Sequence, residues 1–267
     1  MKTDKKQIGI IGTGNMGGAI IRGITAAKLN TDIKIYDTDK SKISPFISDT
    51  GVTAADTIEE LIALSDIIIL AVKPDTIIKV SSLLKNFSGV IISIAAGISI
   101  NSISKTAGDD KKIVRAMPNT PVTTGCGMTV LSHSSNITTD EIQYVRSIFS
   151  SIGEVLIMEE KHMNAVTAIS GSGPAYIFTF IQAMADAGVK LGIPRAESLI
   201  LAGQTILGSA KMFLDKKENP IMLRDKVTSP GGTTIAALHI LEKAGFSGII
   251  IDAIETAANR AKELDKP

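Results

Sequence analysis

Residues 7–20 read QIGIIGTGNMGGAI: a short apolar run, a glycine-rich turn and the beginning of a helical pattern. The turn, GTGNMG at 12–17, matches G-x-G-x-x-G, and its position between a strand and a helix is typical of dinucleotide-binding domains. Gly12 would allow the tight turn, Gly14 would let a pyrophosphate approach the backbone, and Gly17 would let helix and strand pack closely. Exposed N–H groups and the helix dipole favour a phosphate anion there. The alternative is a glycine-rich turn without a ligand.

Beyond this turn, the first 160 residues alternate β-rich runs with helical patterns. Such alternation indicates a mostly parallel, doubly wound sheet covered by helices on both faces. The predicted strands are 7–12, 33–37, 66–72, 89–96, 112–116, 127–131 and 154–158. Helices are expected from Ala19 to Leu29 and after two capping boxes, Thr57 with Glu60 and Thr138 with Glu141. We predict an α/β fold with a Rossmann-type dinucleotide-binding domain over residues 1–160.

Three further segments lie where predicted strands end, at the edge where a doubly wound sheet binds its ligand. Asp37 ends the second strand at about the position where an acid usually binds the ribose hydroxyl and disfavours a 2′-phosphate. This favours NAD, but Lys40 and Lys42 are close enough in sequence to bind a phosphate. The loops AVKP (71–74) and AAG (95–97) have the small residues expected beside a cofactor. Alternatives are a solvated turn for Asp37 and ordinary tight turns for the loops.

From residue 161 onward, helical patterns replace the strand signal, which predicts a helical substrate-binding and dimerisation domain over residues 161–267. Four or five helices are expected, and most have apolar residues on more than one face. A helical domain of this size cannot cover such helices alone, so we predict at least an intertwined dimer. The segment SGSGPAY (170–176) would either pack helices closely or press backbone against the reactive end of the cofactor.

The segment VTSPGGTTIAAL (227–238) has two glycines and two threonines where a helix begins. Ser229 is predicted to be the N-cap and Pro230 the first helical residue. Each glycine that follows would cost roughly 0.5–1 kcal/mol relative to alanine, so the pair needs a reason. Bare N–H groups at the positive end of a helix bind anions, and threonine hydroxyls can bond a carboxylate. We interpret this turn as an anion site, with an ordinary helix cap as the alternative.

The composition of the chain excludes several functional classes. The formal net charge is +1 and no dense lysine or arginine block occurs, so neither nucleic acid nor a membrane is an expected partner. A single cysteine, Cys126, excludes a disulfide framework and a thiolate metal cluster, and no metal is predicted. The start of the chain lacks a signal-type apolar region, and no apolar run is long enough for a membrane span. We predict a cytoplasmic protein.

Six motifs spread over nearly the whole chain resemble those of the pyrroline-5-carboxylate reductases. They are GTGNMG, AVKP, SIAAG, VRAMPNTP (114–121), AISGSGPAYIF (168–178) and LRDKVTSPGGTTIAAL (223–238). The last three are far more specific than a Rossmann fingerprint. The resemblance implies a dinucleotide-binding domain and a helical domain that interlocks in a homodimer, often assembled further into a decamer. It also implies reduction of L-1-pyrroline-5-carboxylate to L-proline, the last step of proline biosynthesis, by NADPH or NADH.

The resemblance also implies the residues of the site. Besides Asp37, the cofactor would contact Gly12, Gly14, Asn15, Met16, Gly17, Ala71, Val72, Lys73, Pro74, Ala95 and Ala96. The substrate carboxylate would meet Ser229, Gly232 and Thr233, and Thr234 would approach the ring nitrogen. Ser229 and Thr234 are therefore the candidate catalytic residues. Glu160 and Lys226 match positions near the substrate.

Hydride transfer to a C=N carbon does not require a strong acid in the protein, because a cyclic imine can arrive already protonated. The enzyme then mainly positions the imine carbon, which contributes up to roughly several kcal/mol. This explains why the Ser-Pro-Gly-Gly-Thr-Thr segment contains no strong acid or base. His239 is expected to be a packing or solvated residue, and His162 has at most a weak role in substrate protonation.

Two other functions fit parts of the pattern. A β-hydroxyacid dehydrogenase would share a Rossmann domain followed by helices, but it needs a lysine in the helical domain. Lys161, Lys190 and Lys211 are available, and none has the setting that those enzymes use. A non-catalytic dinucleotide sensor would bind the cofactor without turnover, and it leaves the two glycines after Pro230 unexplained.

Overall fold

A computed structural model describes residues 5–264, and eight of its segments form one sheet. The strands are β1 (Lys6–Ile11), β2 (Thr31–Tyr36), β3 (Thr53–Ala54), β4 (Ile67–Leu70), β5 (Val90–Ser93), β6 (Lys112–Pro118), β7 (Gly127–His133) and β8 (Gly153–Ile157). Their order is β3-β2-β1-β4-β5-β6-β7-β8. Neighbours are parallel except for β6 and β7, which are antiparallel. The predicted mostly parallel, Rossmann-type sheet is confirmed.

Within the described residues, seven α-helices accompany the strands. They are α1 (Asn15–Ala26), α2 (Ser44–Thr50), α3 (Ile58–Ala63), α4 (Pro74–Ser81), α5 (Ile100–Ala107), α6 (Thr139–Ser150) and α7 (Met163–Val166). Two apolar cores form, because successive strand side chains point to opposite faces of the sheet. Ile10 of β1 joins the core that includes α1 and α6, and Ile11 joins the core that includes α3, α4 and α5. The sheet is therefore doubly wound.

The structure differs from the sequence-based boundaries in a few places. The helix α1 begins at Asn15 instead of Ala19, because the glycine-rich turn itself forms the first helical turn. The strands β4 and β5 are shorter than predicted, which leaves Ala71 and Ala95 in loops. The two-residue strand β3 at the sheet edge was not predicted, since so short a segment has no detectable periodicity.

One of the two predicted capping boxes is complete. In α6, the Thr138 hydroxyl accepts the N–H of Glu141, and the Glu141 carboxylate accepts the N–H of Thr138. At the start of α3, the Thr57 hydroxyl accepts from Glu60, but the Glu60 carboxylate accepts the N–H of Asp56 at 2.8 Å. Of the capping box predicted at Thr57 and Glu60, only the bond to the Thr57 hydroxyl is therefore confirmed.

The described residues divide into two compact units. One contains the residues up to Ser172 together with those from Thr256 onward, and the other is Gly173–Glu255. The boundary predicted after residue 160 separates two functions and not two compact units, and it stays a prediction.

The second unit is helical. Its helices are α8 (Gly173–Lys190), α9 (Arg195–Lys216), α10 (Pro220–Lys226), α11 (Thr233–Lys243) and the first part of α12 (Phe246–Leu264). The short helix α10 was not predicted, although Asn219 caps it and proline begins it. Large apolar side chains are exposed on α8 and α9, among them Phe178 (64% exposed), Ile200 (69%) and Leu214 (64%). Large apolar side chains are thus exposed on both helices, and the prediction that they occupy more than one face stays a prediction.

Among residues 5–264, no single helix is long and apolar enough to cross a bilayer. The helices α11 and α12, bent by 51° at their junction, meet the length and composition requirement only as a pair.

Candidate active site

The carboxyl ends of four parallel strands lie in register at one edge of the sheet. Ile11 of β1 pairs with Tyr36 of β2 and Leu70 of β4, and Leu70 pairs with Ser93 of β5. The chain runs outward in both directions from β1 and β4, so this edge is a topological switch point, where doubly wound sheets bind ligands. Every predicted cofactor residue lies in a loop or helix start that follows one of these strand ends.

The glycines of the first turn have different structural roles. Gly12 has φ +100°, and a Cβ there would lie 2.5 Å from the Ala71 carbonyl oxygen. A Cβ on Gly17 would lie 2.1 Å from the Gly12 carbonyl oxygen. A Cβ on Gly14, in contrast, would have no neighbour within 4 Å. Gly12 and Gly17 thus make the turn compact, whereas Gly14 leaves open space beside the backbone.

The start of α1 can accept an anion. Gly14 is its N-cap and has no side chain, so the cap residue itself leaves the first N–H groups of the helix uncapped. Asn15 is exposed and Met16 is partly buried, packed against the core under the turn. Open N–H groups at the positive end of a helix fit a pyrophosphate.

Asp37, just after β2, is held by the glycine-rich turn. Its Oδ2 accepts the Thr13 N–H at 2.8 Å and the Thr13 hydroxyl at 3.0 Å, and its Oδ1 accepts the Asp39 N–H at 2.9 Å. Burial acts to raise the pKa of the Asp37 carboxyl, but these hydrogen bonds outweigh burial and hold the pKa below its usual value. Asp37 is therefore a fixed negative charge at this edge. Sequence reasoning missed Thr13, which lies inside the motif at a variable position.

The loops after β4 and β5 complete this edge. Ala71 and Val72 are partly buried, whereas Lys73 and Pro74 are exposed at the start of α4. Ala95 is 5% exposed and Ala96 is partly buried.

In the helical unit, Ser229–Gly232 forms a tight turn, which corrects the sequence-based interpretation. The Gly232 N–H donates to the Ser229 carbonyl oxygen at 3.1 Å, and Gly231 has φ +67°. Proline followed by a left-handed glycine is the pattern of a type II turn. Ser229 is therefore not the N-cap and Pro230 is not the first helical residue. Propensity alone did not distinguish a helix start from this turn.

The helix α11 begins after this turn, with Gly232 as its N-cap and no side-chain hydrogen bond to the cap. The N–H groups of Thr233 and Thr234 fall in the first helical turn, where no intrahelical acceptor exists. A Cβ on Gly232 would lie 2.3 Å from the Ser229 Oγ. The predicted substrate residues Ser229, Gly232, Thr233 and Thr234 are thus brought together, and the open donors are the N–H groups of Thr233 and Thr234 rather than that of Gly232.

The two remaining predicted substrate residues, Lys226 and Glu160, each pair with a charged side chain of the protein. Lys226 Nζ donates to Glu218 Oε2 at 2.5 Å, and the pKa of Glu218 is lowered by this hydrogen bond. Glu160 lies in the sheet-containing unit, where its Oε1 contacts Arg115 Nη1 at 3.3 Å. Sequence reasoning did not single out Arg115. The available signal was a charged residue inside the otherwise apolar strand pattern KIVRA.

The segment SGSGPAY is where helix geometry changes. Residues Thr167–Gly171 form a π-helical turn, and α8 begins two residues later. A Cβ on Gly171 would lie 2.5 Å from Met117 Cε, so at this position the glycine allows close packing. Asn119 fixes the same segment by donating its Nδ2–H to the Ser170 carbonyl oxygen at 3.1 Å. Single π-helical turns are frequent at functional sites.

Two of the lysines considered for a hydroxyacid dehydrogenase form ion pairs, and the two histidines of the helical segment are exposed. Lys161 pairs with Glu159 at 2.6 Å, and Lys211 pairs with Asp215 at 2.7 Å. His162 and His239 are both exposed.

Two known families match parts of this chain. The family described as pyrroline-5-carboxylate reductase dimerisation matches residues 160–264, and the family described as NADP oxidoreductase, coenzyme F420-dependent, matches residues 7–97. A pyrroline-5-carboxylate reductase of Escherichia coli is 40% identical over 98% of this chain and 99% of its own length.

Solved structures of pyrroline-5-carboxylate reductases are also similar to this chain over nearly its whole length. A pyrroline-5-carboxylate reductase from Coxiella burnetii has a TM-score of 0.94 at 35% identity and covers 99% of this chain and 100% of its own. A pyrroline carboxylate reductase from Plasmodium falciparum, with NADP bound, has a TM-score of 0.88 at 35% identity with the same coverage.

Proposed function

The chain belongs to the pyrroline-5-carboxylate reductase family, and from this premise we propose how its residues carry out the reaction. The protein reduces the C=N bond of L-1-pyrroline-5-carboxylate to give L-proline, the last step of proline biosynthesis. NAD(P)H, when bound, supplies the hydride. The observation that carries the proposed substrate site is the Ser229–Gly232 turn followed by a helix without a side-chain cap.

The substrate carboxylate binds at this turn. The N–H groups of Thr233 and Thr234 and the hydroxyl of Ser229 donate hydrogen bonds to it, and the dipole of α11 adds a favourable potential. Gly232 contributes by having no side chain, because a Cβ would collide with the Ser229 hydroxyl. Its own N–H is already used within the turn.

Thr234 orients the reacting nitrogen. We propose that its hydroxyl oxygen accepts a hydrogen bond from the N–H of the protonated imine. Because the imine arrives with its proton, none of these groups has to act as a strong acid. The protein's contribution is then to hold the C=N carbon in position, which is worth up to roughly several kcal/mol.

The cofactor residues fit a dinucleotide. The open space at Gly14 and the uncapped start of α1 would hold the pyrophosphate. Val72, Lys73 and Pro74 would flank the cofactor beside Ala71, as would Ala95 and Ala96 on the next loop. Asn15 and Met16 would contribute through their positions in the first turn of α1.

We further propose that NADH is preferred over NADPH. The Asp37 carboxylate is held ionised at the end of β2, where the adenosine ribose of a bound dinucleotide lies. A 2′-phosphate would bring a second negative charge close to it. Lys42 does not offset this charge fully, because it is 3.5 Å from Asp39 and shared with it.

The domain roles and the assembly belong to the same proposal. Residues 1–160 would bind the dinucleotide, and residues 161–267 would bind substrate and form the dimer. The chain forms an oligomer through its family's dimerisation domain, and a homodimer that assembles into a decamer is our finer proposal. A second copy would cover the exposed apolar side chains of α8 and α9. A cytoplasmic location stays a prediction.

Steady-state kinetics with L-1-pyrroline-5-carboxylate and either NADH or NADPH test this function. We expect oxidation of both cofactors, formation of proline, and a kcat/KM about tenfold higher with NADH, as expected for one unfavourable charge contact near the surface. Oxidation of 3-hydroxy acids by NAD without proline turnover would instead favour the hydroxyacid dehydrogenase alternative. Cofactor binding without any turnover would favour the sensor.

A further inference from the structure

The helix α5 begins with a hydrogen bond to a distant part of the chain. The Ser99 hydroxyl accepts the Ser102 N–H, as in an ordinary N-cap. The N–H of Ile100, the first residue of α5, instead donates to the Glu160 carboxylate at 2.7 Å, across 60 positions of sequence. Because the positive end of a helix favours a negative charge, Glu160 holds the start of α5 by charge as well as by this hydrogen bond.

Arg115 holds Glu160 in turn. Arg115 Nη1 lies 3.3 Å from Oε1, the same Glu160 oxygen that accepts from Ile100. The Arg115 side chain is 5% exposed, and its second terminal nitrogen, Nη2, is buried with no hydrogen-bond partner among the described residues. Burying a guanidinium with a single contact to one carboxylate is costly, so stability alone does not explain this residue.

Arg115 lies beside the strand end from which the β5–α5 loop, residues 94–99, leaves the sheet. Ile113 of β6 belongs to the core that includes α3, α4 and α5. Arg115, two residues further on, points to the same face of the sheet. Arg115 is also in register with Ser93, the last residue of β5. The loop therefore begins next to Arg115 and ends at Ile100, where Glu160 holds it.

The middle of the β5–α5 loop packs against the end of α12. Gly97 has φ +74°, and a Cβ there would lie 2.8 Å from the Leu264 Cβ. Ala261, one turn earlier on α12, is 4% exposed. Both α12 residues belong to the same compact unit as the loop. The loop is thus held at its middle by α12 and at its end by the Arg115–Glu160 pair.

This loop lies at the edge where a dinucleotide would bind. In the sheet order, β2 and β5 lie on opposite sides of the central pair β1 and β4. Asp37 follows β2, and Ala95 and Ala96 follow β5. A dinucleotide binds across such a switch point, which separates two mononucleotide-binding halves of the sheet. With the adenosine half beside Asp37, the β5–α5 loop would meet the nicotinamide half.

We propose that Arg115 is a positioning residue for the cofactor and that it acts through Glu160 on the β5–α5 loop. Arg115 fixes the Glu160 carboxylate, the carboxylate fixes the start of α5, and Ala95 and Ala96 are thereby held in place for the nicotinamide half of NAD(P)H. This inference rests on the proposed function, in which those two alanines flank the cofactor. It requires no contact between Glu160 and the substrate.

Isothermal titration calorimetry with NADH and with ADP, which lacks the nicotinamide half, tests this role. In Arg115→Met, the loop would adopt its binding conformation only part of the time. A competent fraction of about a third to a tenth raises the Kd for NADH about 3- to 10-fold. The Kd for ADP should stay at the wild-type value, because ADP would contact only the glycine-rich turn and the side of Asp37. Arg115→Lys keeps the positive charge and should recover part of the affinity for NADH.

The variant Glu160→Gln tests the path through the carboxylate. Glutamine keeps an oxygen for the Ile100 N–H but loses the charge, and it leaves the packing of β6 intact. The Kd for NADH should rise and the Kd for ADP should not, so this variant repeats the comparison independently. Adding Arg115→Met to Glu160→Gln should change the Kd for NADH less than Arg115→Met does alone, because Arg115 acts through that carboxylate.

Lys112→Met is the matched control. Lys112 is also on β6 and pairs with Glu141 at 2.6 Å, at the other end of the strand. Both of its Kd values should match those of the wild type. Urea unfolding separates positioning from general destabilisation. Arg115→Met should unfold at about the wild-type urea concentration, because the remaining Glu160 side chain is 32% exposed and keeps its bond to Ile100.

Three results would overturn the inference. They are a wild-type Kd for NADH in Arg115→Met, equal losses of affinity for NADH and ADP, and full additivity in the double variant. A wild-type enzyme that binds neither NADH nor ADP would contradict the proposed cofactor site instead, so the two failures are distinguishable.

Discussion

Thr13 donates both its backbone N–H and its hydroxyl to the same oxygen of Asp37, at 2.8 Å and 3.0 Å. A residue of the glycine-rich turn after β1 thus fixes the orientation of the acid that follows β2. Because both lone-pair directions of Oδ2 are used within the protein, only Oδ1 is left to face a ribose, and it already accepts from Asp39. The carboxylate acts at this edge mainly through its charge.

Replacing Asp37 with serine should shift the cofactor preference. Removing the charge removes the repulsion of a 2′-phosphate, and a hydroxyl can donate to it. We expect the ratio of kcat/KM for NADPH to that for NADH to rise about tenfold or more. Asp32→Asn, at the opposite end of β2, is the control and should leave the ratio unchanged. An unchanged ratio in Asp37→Ser would show that Asp37 does not select the cofactor.

Replacing Thr234 with alanine should slow the reaction. The variant loses one hydrogen bond to the reacting nitrogen, a loss of about 1–3 kcal/mol that corresponds to about ten- to a hundredfold in kcat/KM. Thr205→Ala on α9 removes a hydroxyl that donates to the Leu201 carbonyl oxygen, and it should have little effect. If Thr234→Ala and Thr205→Ala have equal activity, Thr234 is not part of the site.

Replacing Gly232 with alanine should weaken substrate binding specifically. The new Cβ would lie 2.3 Å from the Ser229 Oγ and displace that hydroxyl. We expect a higher KM for L-1-pyrroline-5-carboxylate and weaker binding of a proline analogue, with KM for NADH unchanged. Gly248→Ala on α12, where a Cβ meets nothing within 4 Å, is the matched control. Normal analogue binding by Gly232→Ala would argue against the anion site.

Replacing Gly231 with alanine tests the turn itself. Gly231 has φ +67°, a conformation that costs a residue with a Cβ about 1–2 kcal/mol. No atom lies near its missing side chain, so the effect comes from backbone strain alone. We expect a measurable loss of unfolding free energy together with weaker substrate binding. Full stability and full affinity would mean that the turn tolerates another conformation.

Glu141 should make stability depend on pH. Burial acts to raise the pKa of its carboxyl, but the hydrogen bonds from Lys112 and Thr138 hold the pKa below its usual value. A lowered folded-state pKa contributes stability that is complete above the unfolded pKa, about 4.3, and is lost as pH falls through the folded pKa. Glu141→Gln should therefore be less stable than the wild type at about pH 7, and the difference should narrow as the pH falls below the unfolded pKa of about 4.3. A pH-independent difference in urea unfolding would contradict this.

Replacing Ile200 with aspartate should weaken the assembly. Ile200 is 69% exposed on α9, and a charge there would be buried unpaired in a dimer interface. We expect light scattering after size-exclusion chromatography to show a smaller species than the wild type. Leu83→Asp, in the sheet-containing unit at 45% exposure, should leave the mass unchanged. Equal masses for both variants would place the interface elsewhere.

The sequence by itself determined most of the elements of this protein and the positions of the two glycine-containing turns that we propose as anion sites. Alternating apolar runs, the glycine spacing at 12–17 and the complete capping box at Thr138 are local signals, because they depend on backbone sterics and on hydrogen bonds a few residues apart. The same local reasoning failed at Ser229–Gly232. There a type II turn and a helix start have the same residue preferences, and only the backbone conformation distinguishes them.

Only the tertiary structure decided which of these residues meet. The Thr13–Asp37 bonds join positions 24 residues apart, and the Arg115–Glu160 pair joins positions 45 residues apart. Neither pairing follows from local preference, because each depends on strand order and register in the folded sheet. The local sequence therefore decides which conformation and which hydrogen-bonding groups each segment offers. The strand order and register of the sheet decide which charged residues lie next to that segment.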